Sequence, residues 1–237
     1  MTAKAKILVV EDEAPIREGL VDLLVFHGFE VDTAADGSSG LEAALSGGYS
    51  LVLLDVMLPG LDGFTICDKV RRSLPDQPLI MLTARSRDED VINGLRLGAD
   101  DYIAKPFSVT QLVLRVQAVL RRSTPTVSDQ IIELIGACRI DPLNLAGEVD
   151  GTAVAFTRRE MEVLQYLAAH AGRPVSREEL LHRVWGYARD LQIETRTVDI
   201  HVAKIRRKIE ADPSDPQRLV TVRGAGYRLE AVPATTA

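Results

Sequence analysis

Between residues 6 and 122, short β-branched and aliphatic runs alternate with longer stretches of helical periodicity, and this alternation narrows the fold more than any other feature. Residues 7–10, 30–33, 51–55, 79–83 and 101–104 read as strands. Gly28, Gly47-Gly48, Pro75 and Gly98 mark the exits of the amphipathic stretches between them. Such an order predicts an α/β domain built on a five-stranded, doubly wound parallel sheet with helices on both faces. In sheets of this kind, binding sites form in the crevice beyond the carboxyl ends of the strands.

The polar residues gather at those ends. Glu11 and Asp12 follow the first strand, Asp55 closes the third, Thr83 closes the fourth and Lys105 follows the fifth. Three carboxylates in one crevice repel each other unless a cation compensates, and one lysine does not balance them. All-oxygen ligands of high charge favour Mg²⁺. A site of this type suits phosphoryl transfer onto a carboxylate, where positioning and charge neutralisation carry the catalysis. Asp55 is the expected nucleophile, with Thr83 and Lys105 holding phosphoryl oxygens. A phosphatase with an aspartyl nucleophile would resemble Asp-x-Asp, whereas position 57 is Met.

Beyond residue 122 the pattern changes. Residues 123–130 (STPTVSDQ) are polar, aperiodic and contain Pro125, as expected of a linker. Residues 131–233 form the second expected domain. Within it, residues 131–156 read as a meander of short antiparallel strands, 157–171, 176–185 and 195–211 as helices, and 219–229 as a hairpin turning through Gly224-Ala225-Gly226. The chain of 237 residues is long enough for two such domains.

Charge is unevenly placed. Residues 1–122 hold 13 Lys and Arg against 18 Asp and Glu, while residues 123–237 hold 15 against 16. The acidic total does not exclude nucleic acid, because DNA responds to local potential and residues 196–208 carry five bases against the single acid Asp199. On a helix at about 100° per residue, Val198, Val202, Ile205 and Ile209 share the expected buried face. Arg196, Ile200, Ala203, Lys204 and Arg207 fall opposite, an outward stripe suited to a major groove that offers phosphates, base acceptors and thymine methyls. Cys67 and Cys138 match neither a zinc spacing nor a disulfide framework and read as buried reduced thiols. No apolar run reaches the roughly 20 residues of a membrane span, so a cytoplasmic protein is expected.

The segments VVEDE, LLDVMLPGLDG, LTA and GADDYIAKPF closely resemble the receiver domain of bacterial response regulators. The resemblance implies that Asp55 accepts phosphate from a sensor histidine kinase, that Glu11, Asp12, Asp55 and the Met57 carbonyl surround Mg²⁺, and that the Lys105-Pro106 peptide is cis. It further implies that Tyr102 turns inward as Thr83 moves toward the phosphate; a half-buried strand tyrosine is the plainer alternative. Autodephosphorylation would be slow at most.

The segments FTRREMEVLQYL, SREELLHRVWG, ETRTVDIHVAKIRRKIE and VTVRGAGYRL resemble the winged helix-turn-helix effector of OmpR/PhoB-type regulators. That resemblance implies a four-stranded sheet, three helices and a C-terminal hairpin that bind double-stranded promoter DNA. Arg196, His201, Lys204 and Arg206 align with phosphate or base contacts, Ile200 with an apolar base contact and Arg223 with a wing residue entering the minor groove. The place of His201 beside the buried stripe also allows a packed imidazole, and Trp185 reads as a core anchor. Residues 186–194 resemble the segment that contacts RNA polymerase, although a plain connection fits them equally. On the receiver, the surface of residues 88–97, 101–104 and 108–121 resembles the dimer face, with Asp100, Asp101, Arg115 and Arg122 as charges that pair across a two-fold axis in a homodimer formed on phosphorylation.

Overall fold

In the computed structural model, residues 4–84, 98–120, 130–187 and 196–231 are described. The helix expected between residues 84 and 98 and the charges at 88–97 lie outside them. So do Arg121, Arg122, nearly all of the linker and residues 188–194.

Five parallel strands, β1 (Lys6–Val10), β2 (Glu30–Ala34), β3 (Leu51–Asp55), β4 (Leu79–Ala84) and β5 (Asp101–Lys105), form one sheet in the order β2-β1-β3-β4-β5. Around it run α1 (Ala14–Phe26), α2 (Gly37–Ser46), α3 (Gly63–Ser73) and α4 (Val109–Leu120). Every residue of β3 is buried, as an unbroken apolar run at the centre of a parallel sheet requires, while the more polar β2 takes an edge. Alternate residues Ile7, Val9, Leu51, Leu53, Ile80, Leu82 and Ile103 join Leu20 and Leu24 of α1 and Leu112 and Val116 of α4 in one core. Each such side chain contributes on the order of 1.5–3 kcal/mol by leaving water. On the other face α2 comes very close, because a Cβ on Gly40 would lie 2.4 Å from a methyl of Val10.

Register decides what stands at the sheet's carboxyl edge. Val10 is level with Leu54, Asp55 with Leu82, Thr83 with Ala104 and Ala84 with Lys105. The ends of β1, β3, β4 and β5 therefore bring Glu11, Asp55, Thr83 and Lys105 to one rim.

Contacts divide the chain into two compact units, Met1–Arg122 and Ser123–Ala237. The second begins with an antiparallel sheet of β6 (Ile132–Leu134), β7 (Cys138–Asp141), β8 (Ala146–Val149) and β9 (Thr152–Ala155), in sequence order. Between β8 and β9 the turn residues Asp150 and Gly151 have φ of 49° and 81°, the left-handed pair that a tight hairpin needs. Next come α5 (Arg158–Ala169), α6 (Arg177–Arg183), α7 (Arg196–Ile209) and the hairpin of β10 (Leu219–Val222) and β11 (Gly226–Leu229). Thr157 and Glu160 cap α5 reciprocally: the Glu160 amide donates to Thr157 Oγ1 at 3.3 Å, and the Thr157 amide donates to Glu160 Oε2 at 2.8 Å. Phe156, Leu164, Trp185, Val198, Ile205 and Leu219 are buried in this unit. The sheet, three helices and hairpin are the succession expected of a winged helix. Cys67 and Cys138 are buried, and neither is in a disulfide. Among the described residues, no helix is long and apolar enough to cross a membrane.

Candidate functional site

Glu11 extends β1 by one backbone bond, its amide donating to the Ala34 carbonyl at 3.1 Å, and its side chain is wholly buried. Arg17, one turn into α1, holds the acidic loop from behind by donating to the carbonyls of Glu11 (2.7 Å) and Asp12 (2.9 Å). Asp55 is also buried. Carboxylate oxygens of Glu11, Asp12 and Asp55 lie within 4.8 Å of one another. The Lys105 ammonium reaches into the group, 2.8 Å from Glu11 Oε2 and 3.0 Å from Asp55 Oδ2. Thr83 is buried at the same rim, and the peptide following Lys105 is cis.

The loop after Asp55 is tied back to that carboxylate. The Met57 amide donates to Asp55 Oδ1 at 3.3 Å, and the Met57 side chain is exposed. Asp62 caps α3 by accepting from the Thr65 amide at 2.9 Å. Gly63 must be glycine, because a Cβ there would stand 2.2 Å from the Asp55 carbonyl oxygen. The turn-rich sequence after Asp55 thus folds α3 directly back against the strand that carries it.

Burial pushes the Glu11 carboxyl up, the neighbouring Asp55 charge adds to the rise, and Lys105 only partly offsets it. For Lys105, burial is the strongest single influence and opposes protonation, yet the bonds to Glu11 and Asp55 prevail and its pKa rises. With all groups ionised, three carboxylates against one ammonium leave two uncompensated negative charges. A small pocket of oxygen donors with that deficit fits a hard divalent cation.

Tyr102 lies two residues before Ala104, the register partner of Thr83, and is 9 % exposed. The expected surface charges beside it require correction. Asp101 is wholly buried, and Arg115 from α4 donates to its Oδ1 (3.0 Å), its Oδ2 (2.9 Å) and the Tyr102 carbonyl (3.1 Å). Asp100 is buried too, its Oδ2 accepting from Arg71 Nη2 at 2.7 Å and from the Leu79 amide at 2.8 Å. Buried carboxylates must be paired. Here the pairing is internal, with α4 folding back along β5 and α3 ending beside Asp100.

In the second unit, Val198, Val202, Ile205 and Ile209 of α7 are buried as expected, but the opposite stripe is narrower than the wheel implies. Ile200 is 8 % exposed, Lys204 5 % and His201 1 %. His201 packs edge-on against Trp185, ring centres 5.2 Å apart, with Nδ1 2.9 Å from the Thr197 carbonyl. Thr197, His201 and Lys204 recur at steps of four and three and form a second buried row, with Ile200 one turn before Lys204. The aliphatic seam therefore marks only the middle of the covered arc. Arg207 and Ala203 are exposed. Arg206 turns sideways, donating to the Leu219 carbonyl (2.8 Å) and Thr221 Oγ1 (2.7 Å). Arg196 opens α7, its side chain outside the described set. Arg223 is exposed at the tip of the β10–β11 hairpin.

Sequence reasoning passed over Arg177, Asp199 and Tyr227, which meet between α6, α7 and the hairpin: Arg177 Nε donates to Asp199 Oδ1 at 2.6 Å and Arg177 Nη2 to the Tyr227 hydroxyl at 2.9 Å. The one available signal was a lone acid in a basic stretch.

Comparison with known proteins matches both halves. Residues 7–117 fit the response regulator receiver domain, and residues 151–229 fit the C-terminal domain of transcriptional regulatory proteins. The sensory transduction protein RegX3 of Mycobacterium tuberculosis is 42% identical over 227 residues, covering 94% of this chain and 98% of its own. The probable transcriptional regulator ycf27 of Porphyridium aerugineum is 43% identical over 232 residues, with 96% of each chain covered. Among solved structures, a point mutant of RitR superposes with a TM-score of 0.73 at 26% identity, covering 95% of this chain and 98% of that one. The response regulator DrrB, a Thermotoga maritima OmpR/PhoB homologue, gives 0.52 at 33% identity, covering 96% and 99%. A receiver fold carrying an acidic rim and followed by a DNA-binding effector defines a two-component response regulator, a phosphorylation-dependent regulator of transcription rather than a classical enzyme. Within that class the chain belongs to the OmpR/PhoB family.

Proposed function

We propose that Asp55 is the phosphoacceptor and that a sensor histidine kinase is the donor. The observation that carries this is the half-buried Lys105 ammonium shared between the buried carboxylates of Asp55 and Glu11 at the carboxyl edge of the sheet. One Asp55 oxygen attacks phosphorus in line, the P–N bond to the kinase histidine breaks, its electron pair returns to the imidazole and an acyl phosphate forms. Lys105 and Thr83 then hold phosphoryl oxygens. Glu11, Asp12, Asp55 and the Met57 carbonyl would hold Mg²⁺, which when bound supplies the positive charge the carboxylates lack. Autodephosphorylation is slow, since Met57 stands where an Asp-x-Asp phosphatase carries its second acid.

A phosphoryl group adds about −1.5 to −2 charge and draws the Thr83 hydroxyl toward it, and Tyr102 follows. The activated chain dimerises through its receiver. The effector, residues 131–233 beyond a linker at 123–130, binds promoter duplex through Arg196 and Arg207 on α7, with Arg206 at its edge and Arg223 on the hairpin. RNA polymerase is the partner of residues 186–194, and the cytoplasm is where kinase and promoter meet.

Acetyl phosphate supplied with Mg²⁺ should label wild type and leave Asp55→Ala unlabelled. Chelating the metal with EDTA should abolish labelling of wild type, and label persisting on the variant would refute the acceptor.

A further inference from the structure

Helix α7 is basic along most of its length but carries one acid, Asp199. Its carboxylate accepts from Arg177 Nε at 2.6 Å and from the Tyr227 hydroxyl at 2.5 Å, while Arg177 Nη2 donates to that hydroxyl at 2.9 Å. The three groups close a triangle between α6, α7 and β11. Tyr227 is 4 % exposed, and the guanidinium groups of Arg177 and Arg206 lie 4.8 and 5.7 Å from its ring centre. The backbone adds a second tie, as Val175 and Tyr227 exchange amide-to-carbonyl bonds of 2.7 and 2.9 Å ahead of α6. Gly226 allows it, because a Cβ there would stand 2.0 Å from the Val175 carbonyl oxygen. Burial, reinforced by Asp199, pushes the Tyr227 hydroxyl up to about 12, so it remains a donor at any physiological pH.

We propose that Asp199, Arg177 and Tyr227 are positioning residues that fix the β10–β11 hairpin against α7, so that Arg223 at the hairpin tip and Arg207 on the helix meet one duplex together. Arg206 braces the same joint through Leu219 and Thr221. The inference rests on Arg223 contacting DNA, as proposed above, and adds what aims it. Presenting two contacts in fixed relation lowers the ordering cost of the second. The joint is not what holds the domain together. The side chains of Arg177 and Asp199 are 36% and 43% exposed, a regime in which solvent screening leaves an ion pair little weight in stability, so variants here should fold.

The test uses the full-length protein and a labelled duplex recovered from a random library by wild type, with affinity measured by fluorescence anisotropy across a salt series. Arg223→Ala should lower the salt slope of wild type by about one. Tyr227→Phe and Asp199→Asn should each weaken binding by roughly fivefold to tenfold with melting temperature nearly unchanged. In the Tyr227→Phe background, Arg223→Ala should cost little more and leave the slope where it is. If the two losses multiply, or Tyr227→Phe binds as wild type does, the positioning role is overturned and the Arg223 contact stands. If Arg223→Ala is silent in the wild-type background, the wing contact fails and the positioning role fails with it.

Discussion

The acidic rim of the receiver and helix α7 of the effector both concentrate charge, but they settle it in opposite ways. At the rim, Glu11, Asp12 and Asp55 face the Lys105 ammonium, and among the described residues no second cation pairs with them. On α7 most of the cations already have work inside the protein. Arg206 is bonded to β10, Lys208 donates to Glu160 Oε2 at 2.6 Å and to the Ala155 carbonyl at 2.9 Å, and Lys204 is buried. Arg207 and the hairpin's Arg223 are the exposed ones among the described side chains considered for DNA. A count of basic residues thus overstates how many read a duplex. The acids at the strand ends do converge, because register sets Glu11 level with Asp55 on adjacent strands.

The contrast is sharpest where a charge is fully enclosed. Arg115→Ala would leave the wholly buried Asp101 without its guanidinium, and breaking a buried pair of this kind costs about 3–5 kcal/mol. Urea unfolding followed at the receiver should show that loss. A double-mutant cycle with Asp101→Ala should return a large coupling energy. A cost below about 1 kcal/mol would mean that the pair faces water, as a dimer face of free charges requires.

Next in size is a pair of effector substitutions that separates what α7 buries from what the hairpin exposes. Ile200→Ala should cost about 2–4 kcal/mol of stability, whereas Arg223→Ala should stay within roughly 0.5 kcal/mol. Denaturant melts of both variants decide it. Equal, small effects would restore Ile200 to the outward stripe.

Sequence legibility follows the same division. The strands and the residues at Glu11, Asp55, Thr83 and Lys105 could be placed in advance because a parallel strand buried on both faces is an unbroken apolar run, and the residue ending it has one place to go. The four-strand meander and the hairpin were legible from turn residues such as Asp150-Gly151, whose backbone needs positive φ. Helix periodicity located the centre of α7's buried arc but not its width, since His201, Lys204 and Ile200 are covered by packing that no property of α7 alone encodes. Long-range partners were least legible. Asp101 and Arg115 stand 14 residues apart, Asp100 and Arg71 stand 29 apart, and a charge in sequence carries no mark of whether its partner is in the same chain.

The smallest effect concerns a charge in the effector that is structural rather than a reader. Glu179 accepts from Arg173 Nη2 at 2.6 Å, Arg173 Nη1 at 3.0 Å and the Tyr166 hydroxyl at 2.8 Å, and chiefly the Arg173 bonds, opposed by burial, lower its carboxyl from 4.5 to about 2. As pH falls, the unfolded chain takes up this proton before the folded one does. The stabilisation is therefore present above 4.5 and is lost as pH descends toward about 2. Because Arg173 is 48% exposed and Glu179 28%, solvent screening limits the contribution to about 1 kcal/mol. Wild type should exceed Glu179→Gln in denaturant stability at neutral pH by that amount, and the gap should shrink steadily on acidification below 4.5. A gap that stays constant with pH would show that the glutamate acts through its shape and hydrogen bonds alone, leaving unbalanced charge as a property of the acidic rim and not of the effector.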